Sequence, residues 1–392
     1  MPDTAHSALP ELPGKTPLWT RNFIHIILIN TFLFFGFQCY PAALPPYLKS
    51  LGASDAILGW LTALATVPTL LTRPLAGLLL DRLGRRKVFL SGLLMVTSIS
   101  LAMYFFPVVG IILLLRFMHG LAWGIANTSS NTVATDIVPK SRLGEGMGFF
   151  SLSTAMALAI SPAVALSLHS DFMFVLATFC MAISTVLACF LRYPHVPLSG
   201  KKHHFPFEKT AVCPALVILF SNTSYGAVIT FLAVYAAQRG VENIGPYFTV
   251  YALVLLLTRP NIGRLVDRKG HKAALLPGLF FLAGALVLLS QSTSLPMFLA
   301  SAVLFGVGQG SVQTSAQTLS VLYTPKDRIG AANATFLTGF DGGIGFGALL
   351  ASGLVGPFGY SGMFLCLTVC PLLAALLFVV MSSGRRNSAQ QD

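Results

Sequence analysis

Charge is what this sequence has least of. Only 10% of its 392 residues are Asp, Glu, Lys or Arg, and the scarcity falls on the acids, with 13 carboxylates against 25 Lys and Arg. An ordinary soluble domain carries about a quarter of its residues charged, so a freely soluble globule is excluded. Cysteine is sparse too. Cys39, Cys180, Cys189, Cys213, Cys366 and Cys370 fall inside or beside apolar segments at no metal-like spacing, which makes them packing residues and leaves the redox compartment unread. Cys366 and Cys370 share a helix face, where consecutive turns hold the thiols too far apart for a disulfide. The apolar segments also lack a metal-ligand cluster, a nucleophile beside a base, and paired carboxylates, which makes a membrane enzyme the weakest reading.

What the chain does have is apolar sequence, 55% of it, in recurring stretches of about 20 residues, each enough to cross a bilayer core. Spans are predicted at 22–47, 59–79, 88–106, 111–135, 146–168, 172–191, 211–236, 245–262, 273–291, 297–319, 331–355 and 361–381. The fold class is therefore all-α integral membrane, with twelve transmembrane helices in two six-helix pseudo-symmetric halves. Residues 22–192 form the first half and 211–381 the second, with a linker at 193–210 and tails at 1–21 and 382–392. Pro41, Pro45, Pro68, Pro162 and Pro277 interrupt spans, which neighbouring helices can accommodate.

The net charge of +12 would suit a nucleic-acid binder, but the cations sit in a few short loops. Arg82, Arg85, Arg86, Lys87, Lys140, Arg142, Arg264, Arg268, Lys269, Lys272, Lys326 and Arg328 are on one predicted side, and Lys49 and Arg239 alone are on the other. The imbalance places both termini in the cytoplasm and suits contact with anionic lipid headgroups. No nucleic-acid partner is expected. Lys201-Lys202-His203-His204 lies in the linker, where two histidines without a further ligand make a poor metal site.

The chain also repeats itself. Arg73-Pro74, Gly77, Asp81-Arg82 and Gly84 return 186 positions later as Arg259-Pro260, Gly263, Asp267-Arg268 and Gly270, and the same shift relates Gly120 and Gly124 to Gly306 and Gly310. Two similar bundles around a central site are how secondary transporters obtain alternating access.

The segment Gly77-Leu78-Leu79-Leu80-Asp81-Arg82-Leu83-Gly84-Arg85-Arg86 resembles the loop 2–3 motif of the major facilitator superfamily, and Gly263 to Lys272 resembles its copy in loop 8–9. The resemblance covers essentially the whole chain. It implies that Asp81 caps the positive end of helix 11 across the interface between halves, and that Arg85 pairs with Asp136 at the end of helix 4. Those contacts would hold an outward-open state. In the second copy Leu322 stands for Asp136 and His271 for Arg85, so an asymmetric gate is expected, with the second copy open to a purely packing and topological role.

Four charges lie within spans: Arg73, Arg116, Arg259 and Asp341. Such groups are costly in hydrocarbon and face a cavity or a partner. Arg73 and Arg259 are repeat counterparts, which suits a shared scaffold role. Arg116 begins a helical stripe with His119, Trp123 and Asn127, and Arg116 to Gly120 resembles the family's span 4 motif with His119 where Gln is usual. The alternative is that Arg116 snorkels to the interface. Asp341, among Gly339, Gly343 and Gly347, is the one acid at membrane depth. As a lone buried carboxylate it would exchange coupling protons, with Arg116 as the other coupling residue, and the alternative is a structural pair with Arg73 or Arg259.

In the resembled family spans 1, 4, 7 and 10 line the cavity, which implies Asn30, Phe34, Gln38, Arg116, His119, Trp123, Asn127, Asn222, Tyr225, Gln309, Gln313 and Gln317 as its walls. Each set also suits plain interhelical hydrogen bonding. Likeness to the drug/proton antiporter branch is partial, since Ser161-Pro162-Ala163 keeps that branch's span 5 proline without its glycines. The expected function is proton-coupled export of a small amphipathic or metabolite-like molecule by a monomer in a bacterial cytoplasmic membrane, without a cofactor. Uptake of a sugar or organic anion by symport, and lipid flipping, stay open as rivals.

Overall fold

The computed structural model describes residues 16–53, 55–167, 172–194, 207–241 and 243–388. The linker tetrad Lys201 to His204 and most of the expected N-terminal tail lie outside them. The described residues form twelve α-helices: α1 (Arg21–Ser50), α2 (Asp55–Leu83), α3 (Arg85–Phe105), α4 (Val109–Ile137), α5 (Leu143–Ser167), α6 (Phe172–Cys189), α7 (Lys209–Gln238), α8 (Gly245–Lys269), α9 (Lys272–Ser290), α10 (Leu295–Leu322), α11 (Ile329–Cys366) and α12 (Val369–Ser388). Short 3₁₀ turns at Lys140–Arg142 and Lys326–Arg328, again repeat counterparts, lead into α5 and α11.

Local chemistry sets the ends. The Thr20 hydroxyl accepts from the Phe23 amide and starts α1. Gly84 (φ 92°) and Gly270 (φ 81°) turn α2 into α3 and α8 into α9 in a conformation that side chains with a Cβ resist, which is why both copies of the motif carry glycine there. The eleventh helix runs on past the predicted span end at 355 to Cys366, bent at Gly359 two residues after Pro357.

Each half has its own apolar core. Phe89, Met103, Phe150 and Phe174 are buried in the first, and Leu232, Phe298, Phe305 and Phe364 in the second. Large apolar side chains also cover the outside, among them Leu71, Phe179, Phe190, Leu257, Leu349 and Leu376. Eight of the helices are long and apolar enough to span a bilayer by length and composition. A bundle with this apolar exterior needs lipid as its solvent, and the protein is an integral membrane protein with multiple spans.

Candidate functional site: a charged cavity between the halves

The loops rich in Lys and Arg gather at one end of the bundle, the basic end. There the halves meet: α2 packs on α11 and α5 on α8. Above that seam a cavity of about 1190 Å³ runs between the halves and continues to the opposite end along Gln38, Pro41 and Leu44 of α1, Leu61 and Ala65 of α2, and Phe248 and Thr249 of α8.

Nine of the twelve expected wall residues line it: Phe34, Gln38, Arg116, Trp123, Asn127, Tyr225, Gln309, Gln313 and Gln317. Asn30, His119 and Asn222 do not, which corrects the helical-stripe reading. Asn30 is turned into α5, donating to Ser153 and Thr154 at 2.9 and 3.0 Å. Asn222 donates to the Phe340 carbonyl at 2.9 Å and accepts from Gln309 at 2.6 Å. His119 sits behind the wall, stacked on Phe37. A polar residue on the right stripe can serve a helix contact as well as a cavity, and the sequence does not separate the two.

Asp341 does line the cavity, but it is not a lone carboxylate. Its Oδ2 accepts from Arg73 Nη2 at 2.6 Å and from Nε at 2.7 Å, and Arg73 Nη1 donates to Asn127 at 3.0 Å. The pair joins α2 of one half to α11 of the other. Arg116, expected to share a coupling role with Asp341, is placed elsewhere: its guanidinium lies 5.1 Å from the Phe37 ring centre and 5.2 Å from that of Tyr40, with Nη1 3.1 Å from His119 Nδ1. Arg116 is buried and does not snorkel. Arg259 donates through Nη1 to the Ser151 carbonyl and through Nη2 to Gln313 at 2.7 Å, while its buried Nε has no partner. Three guanidiniums and one carboxylate among the wall residues leave the cavity with a formal charge of +2.

At the basic end Asp81 accepts from the Gly330 and Ala331 amides, each at 2.9 Å, and so caps α11 of the opposite half. Arg85 bridges Asp81 and Asp136, both at 2.8 Å. Gly77 lets α2 approach the α11 backbone closely. Arg82 and Arg268 are exposed at this end.

The second motif makes the same contact in reverse. Asp267 accepts from the Gly144 and Glu145 amides at 2.8 and 2.9 Å, capping α5, and Gly263 abuts Gly144. Here the expected asymmetry takes another form. Glu145 is bridged by Arg264 at 2.8 Å and Arg142 at 2.6 Å, so an ion-pair network forms without Arg85 and Asp136 equivalents. His271 stands in place of Arg85, and burial holds its imidazole below the usual histidine range, partly offset by a bond to the Ser315 backbone. Glu145, Arg142 and Arg264 were missed as gate residues. The signal was available, since a shift of 186 carries Gly144-Glu145 onto the capped pair Gly330-Ala331.

Two homologous helical halves closed over one end of a central charged cavity define a secondary transporter. The Major Facilitator Superfamily model matches residues 26–247 and again residues 215–391, and the chain belongs to that family. It is 21% identical to the staphylopine export protein of Staphylococcus aureus, over 91% of this chain and 94% of that one. It is 23% identical to an uncharacterized MFS-type transporter of Methanocaldococcus jannaschii, over 87% of this chain and 92% of the relative. Among solved structures, the human organic anion transporter MFSD10 superposes with a TM-score of 0.82 at 19% identity, covering 93% of this chain and all of that one. A bacterial homologue of the iron transporter ferroportin in its outward-facing state superposes with a TM-score of 0.79 at 17% identity and equal coverage. At these identities the two structures speak to fold alone.

Proposed function

We propose that the protein is a proton-coupled exporter of a small amphipathic organic anion, working by alternating access. The observation that carries the reading is the cavity wall. Phe34, Phe37, Trp123 and Tyr225 offer apolar surface, Gln309, Gln313 and Gln317 offer hydrogen bonds, and three arginines face one carboxylate. In a low-dielectric site an excess of guanidinium favours a ligand that brings negative charge.

The cation imbalance puts the basic end and both termini in the cytoplasm. With that end sealed, the arrangement is outward-facing, the state in which an exporter has just released its cargo. Export is also what the name of the Staphylococcus aureus relative describes. Asp341 is the acid of the cavity wall, and its protonation would free Arg73, so proton and anion would compete for one ion pair that bridges the halves.

The test is proton movement in proteoliposomes under an imposed pH gradient, with pooled organic anions added to wild type and to Asp341→Asn. Anion-dependent proton flux in wild type, lost in the variant, is expected. Accumulation of the anion in the same direction as the proton would make the protein a symporter, and scrambling of fluorescent lipid without any anion flux would make it a flippase.

A further inference from the structure

Arg73 and Arg259 are repeat counterparts, and their partners correspond residue for residue up to a point. Arg73 Nη1 donates to Asn127, and Arg259 Nη2 donates to Gln313, the residue 186 positions beyond Asn127. On Arg73 the Nε is taken by Asp341 at 2.7 Å. The same shift run backward from Asp341 reaches Ala155, a methyl group on the cavity wall. The Arg259 Nε, only 5% of whose residue is exposed, accordingly has no partner.

We propose that Arg259 is the docking group for a substrate carboxylate, which pairs over Ala155 with the Arg259 Nε as Asp341 pairs with the Arg73 Nε, the Arg259 Nη1 and Nη2 staying on Ser151 and Gln313. This rests on reading the cavity as one for an organic anion. A buried donor left unpaired is costly, and a charged one more so, so a site that keeps it gains from a ligand that completes it. The acid of the described wall, Asp341, is committed to Arg73, and α5 offers only Ser151, Thr154, Ala155 and apolar residues to the cavity. Tyr225 and Tyr251, whose ring centres lie 5.9 Å apart, line the same cavity and suit the apolar body of an aromatic or branched carboxylate. The duplicated scaffold thus yields two buried arginine sites, one filled by the protein's own carboxylate and one that lacks a carboxylate until the side chains around it part for the cargo.

The test needs no known substrate. Ala155→Cys is made in a background with all six native cysteines replaced, and the purified protein is treated with an anionic (sulfonatoethyl) or a cationic (trimethylammonioethyl) methanethiosulfonate. Each rate is divided by that for a free thiol. The anionic reagent should win by roughly tenfold or more, as one unit charge a few ångströms away in a protein-like dielectric requires. Adding Arg259→Gln should collapse the preference, and Arg259→Lys should keep most of it. Should Arg259→Gln not yield monodisperse protein, Leu44→Cys, on the wall in α1, serves as the reference and should show a preference several-fold smaller. Equal rates for the two reagents, or a preference untouched by Arg259→Gln, would overturn the site. A preserved preference with no anion moving protons in proteoliposomes would instead overturn the export reading and leave the site standing.

Discussion

Gln317 donates its side-chain amide to Asn131 at 2.9 Å, and the two are counterparts in the duplicated sequence, 186 positions apart. A bond between equivalent residues places the pseudo-two-fold axis between them, at the floor of the cavity. Gln317 also accepts from Ser151 at 3.1 Å, so its amide ties the second half to α4 and α5 of the first. Opening the basic end must break both bonds. Interhelical hydrogen bonds in membranes average about 0.6 kcal/mol each, so losing both in Gln317→Ala should shift the closed-to-open ratio about sevenfold. A thiol introduced by Thr135→Cys, buried in that seam, should react about sevenfold faster from the basic side in the variant, and an unchanged rate would remove Gln317 from the seal.

The two carboxylate caps should behave alike. Asp81 and Asp267 each bind two backbone amides at the start of a helix in the opposite half. Hydrogen bonds to a charged group contribute about 1.5–3 kcal/mol, so Asp81→Asn and Asp267→Asn should each favour opening of the basic end by roughly one to two orders of magnitude. Distances between spin labels at the tips of loops 2–3 and 10–11 would report it. If Asp267→Asn left the distance distribution unchanged, the second motif would be packing only.

The fold was legible because its signals are long-range and redundant: twelve apolar runs, one-sided loop charge and a constant repeat offset. Asp81, Asp136 and Arg85 were legible through the resemblance. What the sequence hid was partnership. Asp341 has equally spaced candidates in Arg73 and Arg259, and only the three-dimensional offset of the halves chooses Arg73. Asn30 and Asn222 carry the same polar signal as Asn127 but are turned into neighbouring helices, a difference in facing that no residue count resolves. Glu145 was hidden because its role comes from a mismatch between the copies, Ala331 standing 186 positions beyond it.

The Arg73–Asp341 bridge makes a double-variant prediction. Arg73 is 2% exposed, so removing its partner leaves a buried cation without a counter-charge. Breaking a fully buried pair costs about 3–5 kcal/mol. The Asp341 side chain is 19% exposed, and Asn keeps an acceptor, so Asp341→Asn should cost nearer ~2 kcal/mol. Arg73→Gln alone should cost a similar amount, and Arg73→Gln with Asp341→Asn should cost less than the two singles together. Thermal unfolding in detergent tests this, and strictly additive losses would show that the bridge contributes nothing.

His271 and Arg85 should diverge although they are counterparts. Arg85 is a permanent cation bonded to two carboxylates, so Arg85→Gln should strip both and sharply slow transport. His271 is held below the usual histidine range by burial and is neutral near pH 7, so His271→Gln should leave transport at pH 7.5 within about twofold. The sign for stability follows from the same shift. An unfolded histidine takes up its proton near pH 6.5, before the folded one does, so wild type should lose stability as pH falls below about 6.5. His271→Gln should flatten that part of the melting-temperature profile between pH 7.5 and 5.5, and an identical profile would exclude His271 as its source.

Gly339, Gly343 and Gly347 lie one helical turn apart on α11, and a Cβ on each would fall on a backbone carbonyl of α7, those of Ala215, Leu219 and Thr223 respectively. Backbone cannot move aside as a flexible side chain can, so the helices would have to separate and lose contact along their length. Forcing an extra methyl into a close-packed seam costs about 1–3 kcal/mol. Gly342 points the other way, with nothing within 4 Å of its built Cβ. There the better helix propensity of Ala, worth up to about 1 kcal/mol, is unopposed. Gly343→Ala should therefore lower the melting temperature and the yield of monodisperse protein, whereas Gly342→Ala, one residue away, should be neutral or slightly stabilising. Equal effects from the two would mean that α7 and α11 are not held at backbone contact.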